Sequence, residues 1–429
     1  MQTGLPAVNN WTFTQKLLFR FFAAYFFIFI FPFPIGYLPF TDALSTWLNG
    51  FWDALVPWAG KYILHVNNPI TIKPNGSGDT TYNYVQLFLM AVLAAITAII
   101  WSVSDRKRKT YDALLYWVMV YVRYYLAFTM MSYGFYKIIK TQFPFPFYNL
   151  NETYGESSPM GLLWNFMGYS TAFNMFTGLA EAIAGFLLLF RKTVTFGSLM
   201  SMTVLSNIVA MNFCFDVPVK IFSTNLLLMA IFIAVPDMRR LINFFFKNKA
   251  VPAVNIQPKF TKRWMKITWF SVKFLLIASV VYLTISQVWS GYTSYGDDAT
   301  QRTPLFGIYH VEKFVKNNDT LPKLATDTSQ WRSMNISFAG YAVIKMMNDS
   351  VKGFSFTPDT LKKTIQIYSY SDTAHKSTLA YSLPDSAHLI LHGKLKDDSV
   401  YIVMQKQDLK KLPLLSRGFH WINEYPYNR

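Results

Sequence analysis

The chain has 429 residues, of which 52% are hydrophobic, 18% aromatic and only 15% charged. Ordinary soluble domains carry about 25% charged residues, and the apolar residues here gather in long runs, so the composition indicates a membrane protein. The net charge of +17 does not indicate a nucleic-acid partner, because the basic residues flank the apolar runs. With one cysteine, Cys214, the chain forms neither an internal disulfide nor a cysteine-based zinc site.

Seven apolar segments are long enough to cross a bilayer as helices, since a span needs about 20 mostly apolar residues. The predicted spans are residues 17–38, 85–103, 113–138, 172–190, 196–213, 219–235 and 267–288. Two further stretches, "DALSTWLNGFWDALVPWAGKYI" and "MGLLWNFMGYS", predict short helices. They either lie at the headgroup level, where aromatic residues concentrate, or pack on the bundle.

The main groups of basic residues between the spans fall on one side of the membrane if the N-terminus is cytoplasmic. "DRKRKTYD" separates spans two and three, Arg191 and Lys192 follow span four, and a basic stretch from Arg239 to Lys266 precedes span seven. The loops on the other side, such as "NGSGDTTYNY" and "FCFDVPVK", are poor in Arg and Lys. The positive-inside rule therefore places the N-terminus in the cytoplasm and everything after about Ser290 outside.

After the last span the sequence changes character. Stretches such as "KTIQIYSYS" and "SVYIVMQK" alternate apolar and polar residues between Asp, Gly and Pro, which predicts strands of an antiparallel sandwich or barrel. The predicted fold is an α-helical polytopic membrane bundle of about seven helices plus a small C-terminal antiparallel β domain. Its predicted parts are a two-span region, a four-helix core, a basic linker with the last span, and the β domain, at residues 1–112, 113–236, 237–290 and 291–429.

An arginine near mid-depth of the third span needs a partner. Arg123 lies about ten residues into that span, where an unpaired charge costs several kcal/mol. In the fourth span, "GLAEAIAG" puts Glu181 on a face of small residues that lets another helix approach closely. We therefore predict that Arg123 and Glu181 form a buried pair.

Two interpretations of this pair remain open. It either only orients the bundle, or it belongs to a polar pocket for a head group or a proton-coupled redox ligand. The other polar residues assigned to the pocket are Tyr133, Lys137, Asn207, Asn225 and Asp79. Asp79 has an alternative role as the cap of the helix that follows it.

The C-terminal residues "SRGFHWINEYPYNR" are dense in charged and aromatic side chains for a tail. Arg417, His420 and Glu424 are the candidates in it. The tail either docks as an edge segment of the β domain, or Arg417 and His420 reach the outer mouth of the bundle.

Spans three to six resemble the DoxX/DoxD-like membrane protein family. The resemblance rests on Arg123, on "GFYK" from Gly134 to Lys137, and on "GLAEAIAG", and it covers about residues 113–236. It implies a four-helix core and a link to quinone-dependent sulfur oxidation or oxidative-stress complexes, with a quinone as the implied cofactor. The chain looks like a long Bacteroidota-type member, and the resemblance implies a bacterial inner membrane with the β domain in the periplasm.

A repeated pattern supports the bacterial interpretation. Asp followed by Ser or Thr and then an aliphatic residue, Ala or Thr recurs outside the membrane and looks like the O-glycosylation acceptor of Bacteroidota. The candidate acceptors are Thr320, Ser350, Thr360, Thr373, Ser386 and Ser399. The alternative is that these are common turn pairs.

Two functions are compatible with these features. The first is a quinone- or lipid-linked redox protein with a polar pocket; the second is a non-catalytic scaffold whose β domain binds a membrane or periplasmic protein. The sequence shows no nucleophile triad, metal-ligand cluster or nucleotide motif, and its six histidines all lie outside the predicted spans.

Overall fold

The computed structural model describes residues 10–37, 41–251, 263–295, 302–338 and 340–427. The chain divides into two compact units. The first is a helical unit of residues 1–145 and 154–293, and the second is a β unit of residues 146–153 and 294–429. The short segment Pro146–Thr153 thus belongs to the β unit, although the residues on both sides of it belong to the helices.

The described part of the helical unit contains ten α-helices. They are α1 (Phe13–Ile30), α2 (Asp42–Tyr62), α3 (Thr81–Ser104), α4 (Asp112–Ile138), α5 (Pro159–Tyr169), α6 (Thr171–Leu188), α7 (Val194–Cys214), α8 (Lys220–Ala234), α9 (Met238–Phe245) and α10 (Arg263–Tyr295). Seven described helical segments are long and apolar enough to cross a membrane, with α8 and α9 counted as one. The prediction of about seven spans is therefore confirmed, and the protein is a multi-pass membrane protein surrounded by lipid.

The first span is shorter than the sequence predicts. It was expected to run over residues 17–38, but α1 ends at Ile30. Pro32 and Pro34 follow directly, and a proline has no backbone N–H to continue the helix. The two extra helices predicted outside the spans are present as α2 and α5, and α2 exposes Trp47, Trp58 and other aromatic side chains.

Helices α4 and α6 pack backbone against backbone. A Cβ atom added to Gly134 would lie 2.6 Å from the carbonyl oxygen of Gly178, and one added to Gly185 would lie 2.6 Å from that of Ala127. Both distances are below contact, so only glycine fits at these crossing points. The small-residue face predicted for the fourth span is thus the surface that holds α6 against α4.

The β unit is built from nine strands among its described residues. They are β1 (Arg302–Lys316), β2 (Asp319–Thr320), β3 (Trp331–Phe338), β4 (Tyr341–Met346), β5 (Val351–Asp359), β6 (Thr364–Ser369), β7 (Asp372–Ser382), β8 (His388–Leu395) and β9 (Asp398–Lys406). From β3 to β9 each strand pairs antiparallel with the next, and β1 pairs with both β3 and β9. The predicted β domain is confirmed, and its form is a closed eight-stranded barrel to which β2 adds a short pairing at the end of β1.

Side chains fill the barrel interior because apolar residues alternate along its strands. In β4, for example, Ala342, Ile344 and Met346 are buried while the residues between them are partly exposed. Trp331 on β3, only 1% exposed, is the largest side chain in this core. A barrel of eight strands has an interior just wide enough for such packing.

The segment Pro146–Thr153 packs against the end of the barrel at which β1 begins. The rings of Phe147 and Phe306 are 4.8 Å apart, and the side-chain amide of Asn335 donates to the carbonyl oxygen of Tyr148 at 3.0 Å. Burial raises the pKa of the Tyr148 hydroxyl to about 12. This segment covers part of one end of the barrel, a role that the sequence analysis did not predict.

Candidate functional site

Glu181 is paired inside the helical unit, but not with the predicted partner. Its carboxylate accepts a hydrogen bond from the ammonium group of Lys137, and both side chains are at most 8% exposed. Among the described residues, no ion pair joins Arg123 to Glu181, so the predicted Arg123–Glu181 pair is wrong. Lys137 was expected only among the other residues of the pocket.

The register of α4 against α6 explains this difference. Gly134 lies against the backbone between Gly178 and Ala182, and Gly185 against the backbone between Ala127 and Met131, which puts Glu181 level with about Tyr133. Arg123 lies farther toward the start of α4, by roughly 15 Å at a rise of about 1.5 Å per residue. Counting residues from the ends of each helix does not reveal this offset between the two helices. Lys137 lies closer to the level of Glu181 than Arg123 does, and its long side chain reaches the carboxylate.

A cavity of about 230 Å³ lies beside this ion pair. It is enclosed by α4, α5, α6, α7, α8 and the segments that connect them. Residues with charged or hydrogen-bonding groups in its wall are Tyr133, Lys137, Gln142, Trp164, Glu181, Asn212 and Ser223. Tyr133, which is 39% exposed, is the most exposed of these residues.

Most of the cavity wall is apolar and adaptable. Met130, Met160, Met167 and Met211 contribute four flexible thioether side chains, which fit irregular ligand shapes. One polar atom in the wall lacks a partner: the side-chain oxygen of Gln142 is buried without a hydrogen bond among the described residues. Such an acceptor is costly unless a ligand or water satisfies it.

Two other polar residues of the cavity satisfy each other. The Asn212 amide donates to the hydroxyl of Ser223 at 3.0 Å, which links α7 to α8. Asn225 is buried nearby but does not line the cavity; its side-chain oxygen accepts from the Tyr25 hydroxyl at 2.6 Å and ties α8 to α1. Asn207 is exposed, so its predicted place in the pocket is wrong. It lies on the face of α7 turned away from the bundle.

Asp79 caps a helix, though not the one that follows it in sequence. Its two carboxylate oxygens accept from the backbone N–H groups of Lys220 and Ile221, at 2.7 and 3.0 Å, at the start of α8. The cap of α3 is Thr80. Asp79 itself does not line the cavity, but Gly76 from the same loop does. The loop therefore closes the cavity by holding the beginning of α8.

A second buried arginine was not singled out from the sequence. Arg20 on α1 is 3% exposed and donates to the Tyr111 hydroxyl, to the Ser102 hydroxyl at 2.8 Å and to the Asp105 carbonyl at 3.1 Å. The Tyr111 hydroxyl donates in turn to the Asp105 carboxylate at 3.0 Å. In the sequence Arg20 opens the first predicted span, where it counts only as a basic residue on the cytoplasmic side. Its position inside an apolar run was the available clue.

The C-terminal tail is exposed over its described length except at Arg417, which is half-buried. Residues 413–427 contain one short helix, α11 (Pro413–Ser416), and no strand, so the tail does not dock as an edge strand. Arg417 donates to the side chain of Asn423, while His420 and Glu424 are exposed. The alternative, in which Arg417 and His420 reach the bundle, stays a prediction.

The six candidate glycosylation acceptors lie in or beside hairpin turns of the barrel. Five of them are exposed and Ser350 is half-buried, donating to the Asn348 side chain at 2.7 Å. Some of the preceding aspartates stabilise the turns, since Asp359 and Asp385 accept backbone N–H groups two and three residues later. Turn formation thus explains why these aspartates are present, but it gives no role to the exposed hydroxyl groups that follow them.

Part of this chain is similar to a known bacterial protein. No family model matches the chain, and no solved structure matches it. The uncharacterized protein YwoB of Bacillus subtilis (strain 168) is 32% identical over 123 residues, which are 29% of this chain and 79% of that protein. Because the identity extends over most of the bacterial protein, this chain belongs to the same family as YwoB.

Proposed function

We propose that the protein is a DoxX-like inner-membrane protein that binds the polar head group of a membrane-soluble ligand, a quinone or a lipid, beside Lys137 and Glu181. One observation carries the proposal. A cavity of about 230 Å³ with mainly apolar walls contains a buried ion pair and an unpartnered amide oxygen. An apolar pocket with a few convergent polar groups is the usual form of a small-molecule site.

The residues of the cavity fit a quinone head group. The Lys137 ammonium group donates to a carbonyl oxygen, the Gln142 oxygen accepts from a hydroxyl group, and the Glu181 carboxylate takes up or releases a proton. The volume accommodates a ring-sized head group, while an apolar tail extends toward the lipid. A quinone supplies two-electron redox chemistry; in a redox role the electrons come from a partner protein.

The test compares two identical substitutions at different positions. Ile208→Phe enlarges a side chain in the cavity wall, whereas Ile183→Phe makes the same change on α6 at a side chain that is 47% exposed. Quinones and lipids are extracted from each protein purified from its native membrane and quantified per chain. We expect wild type and Ile183→Phe to retain the same ligand and Ile208→Phe to lose it. Equal retention by all three overturns the proposal.

The orientation and the family assignment are part of this proposal. The basic loops support a cytoplasmic N-terminus and a periplasmic barrel, as the positive-inside rule requires. Arg123, the "GFYK" stretch and the "GLAEAIAG" face support a DoxX-like core. Gly134 of "GFYK" and Gly178 of "GLAEAIAG" are in close contact, so these two motifs form one helix crossing.

A second candidate function is a partner-binding subunit that acts through the barrel. The observation in its favour is a cup of about 320 Å³ in the barrel, at the end where β1 meets β9 near Asp398. Trp331 contributes to its base, and Asp372, His375 and Lys396 to its rim. Polar rims around aromatic residues suit protein recognition.

Charge reversal distinguishes a partner site from a plain surface. Lys352 lines the cup, whereas Lys362 lies in the turn after the same strand, and both are exposed. We expect Lys352→Glu to release a protein that co-purifies with wild type and with Lys362→Glu. Unchanged recovery in Lys352→Glu removes this candidate.

We also propose O-glycosylation at one or more of the five exposed acceptors in the native Bacteroidota host. The support is their exposure in turns that lie outside the predicted spans. The measurement is the intact mass of the protein from that host, with Thr360→Ala and Ser386→Ala assigning individual sites. A mass equal to that of the bare chain contradicts the proposal.

A further inference from the structure

Three cations gather around two tyrosines in the helical unit. They are Arg123 on α4, Arg191 in the turn between α6 and α7, and Lys273 on α10, and we call them the cationic cluster. Arg123 and Lys273 lie 5.2 and 5.8 Å from the centre of the Tyr124 ring. Arg191 donates to the Tyr116 hydroxyl and lies 5.3 Å from the centre of its ring.

Within the described residues, no acidic side chain neutralises the charge of this cluster. Arg123 is 7% exposed, and its Nε atom has no hydrogen-bond partner within the described chain. No carboxylate of the described residues forms an ion pair with Arg123, Arg191 or Lys273. Lys273 donates to the carbonyl oxygen of Leu189 at 3.1 Å, which leaves two of its three protons for another acceptor.

Arg20 is another buried arginine of the helical unit, and its guanidinium has hydrogen-bond acceptors. Its guanidinium donates to two hydroxyl groups and a carbonyl oxygen, and Asp105 accepts from the shared Tyr111 hydroxyl. In the part of the chain that the structure describes, Arg123 has no comparable set of hydrogen bonds. An isolated charge inside a membrane is costly, so the contrast indicates that something outside the described chain completes the Arg123 site.

We infer that the cationic cluster binds a phosphate group. Guanidinium groups match the geometry of phosphate oxygens, and an ammonium group adds a point charge. Basic pockets between membrane helices are suited to anionic phospholipid head groups. Arg191 is exposed and Lys273 half-buried, so a phosphate approaches from the surface and reaches Arg123 last.

The site is distinct from the cavity of the proposed function. Glu181 is level with about Tyr133, and Arg123 lies roughly 15 Å closer to the start of α4. None of the three cluster residues lines that cavity. A failure of quinone binding therefore leaves this inference standing, and the reverse also holds.

The experiment uses the full chain in nanodiscs of phosphatidylcholine, with or without phosphatidylglycerol. Retained anionic lipid is counted by native mass spectrometry, and the unfolding midpoint is measured in parallel. Arg123→Gln and Lys273→Gln remove cluster charges, while Lys266→Gln removes an exposed charge from the same helix as Lys273. We expect each cluster variant to retain anionic lipid about tenfold more weakly than wild type, because one charge-assisted hydrogen bond is lost. Lys266→Gln should retain anionic lipid as wild type does.

Two further arms identify the source of the phosphate. Inorganic phosphate is added to discs of phosphatidylcholine alone, with chloride at equal ionic strength as the control. If inorganic phosphate raises the unfolding midpoint and this rise disappears in Arg123→Gln, the site binds soluble phosphate. If only phosphatidylglycerol raises the unfolding midpoint, the site binds a lipid head group. Equal retention in cluster and control variants, with no rise from either anion, overturns the inference.

Discussion

Lys137 and Glu181 illustrate why a buried ion pair is stable only when both partners are present. Each side chain is removed from water, so each depends on the other for compensation of its charge. The pair joins α4 to α6 and also lines the cavity. Its effect on stability and its effect on ligand binding can therefore be separated by substitution.

We predict that Lys137→Ala or Glu181→Ala alone lowers the free energy of unfolding by about 3–5 kcal/mol, because the remaining charge is stranded. Replacing both residues, as in Lys137→Met with Glu181→Leu, restores much of that loss. Thermal unfolding in detergent measures both effects. Asp216→Ala is the control, since Asp216 pairs with Lys220 on the surface with its side chain 85% exposed. Single variants as stable as wild type contradict the prediction.

Asp372 links the stability of the barrel to pH. Hydrogen bonds from Lys396 and then His375 lower the pKa of its carboxyl group to about 2. An unfolded aspartate has a pKa of about 3.9, so its stabilising contribution is complete above that value and is lost as the pH falls toward 2. We expect Asp372→Asn to be less stable than wild type near neutral pH and the gap to narrow at about pH 3. A gap that is constant across this range contradicts the assignment.

At the scale of elements, the crossing of α4 and α6 depends on the absence of side chains. A Cβ atom at Gly178 would lie 2.7 Å from the carbonyl oxygen of Gly134, so Gly178→Ala forces two backbones apart. We expect a loss of about 1–3 kcal/mol in unfolding free energy. Gly50→Ala is the matched control: a Cβ atom there meets nothing within 4 Å, and alanine stabilises a helix interior. Equal effects of the two changes would show that the crossing is not glycine-dependent.

The elements themselves were largely predictable from the sequence, and their register was not. Long apolar runs and strand alternation identify spans and strands because burial imposes those patterns. The partner of Glu181 depends on an axial offset between two helices, and that offset is set by the contacts of Gly134 and Gly178 in space. Asn207 shows the same difficulty, since polarity alone does not tell which face of α7 meets the bundle.

At the scale of the whole molecule, the orientation of the spans decides where the barrel works. We predict that a reporter fused to the C-terminus of this chain is active only in the periplasm, because the basic loops stay in the cytoplasm. A reporter inserted near Lys247 in the basic stretch is the control and should be active only in the cytoplasm. Cytoplasmic activity of the C-terminal fusion would contradict both the orientation and the placement of the barrel.

The β unit is discontinuous in sequence, and this affects the order in which it is completed during synthesis. Pro146–Thr153 is made well before the first strand at Arg302, and the two meet through Phe147 and Phe306. The early segment is therefore made before its partner, and helices α5 to α10 are synthesised in between. A fragment that begins at Ser294 lacks this segment, so Phe306 loses its contact with Phe147 and Tyr341 loses its contact with Tyr148. Excising the barrel for separate study thus requires residues from both regions of the chain.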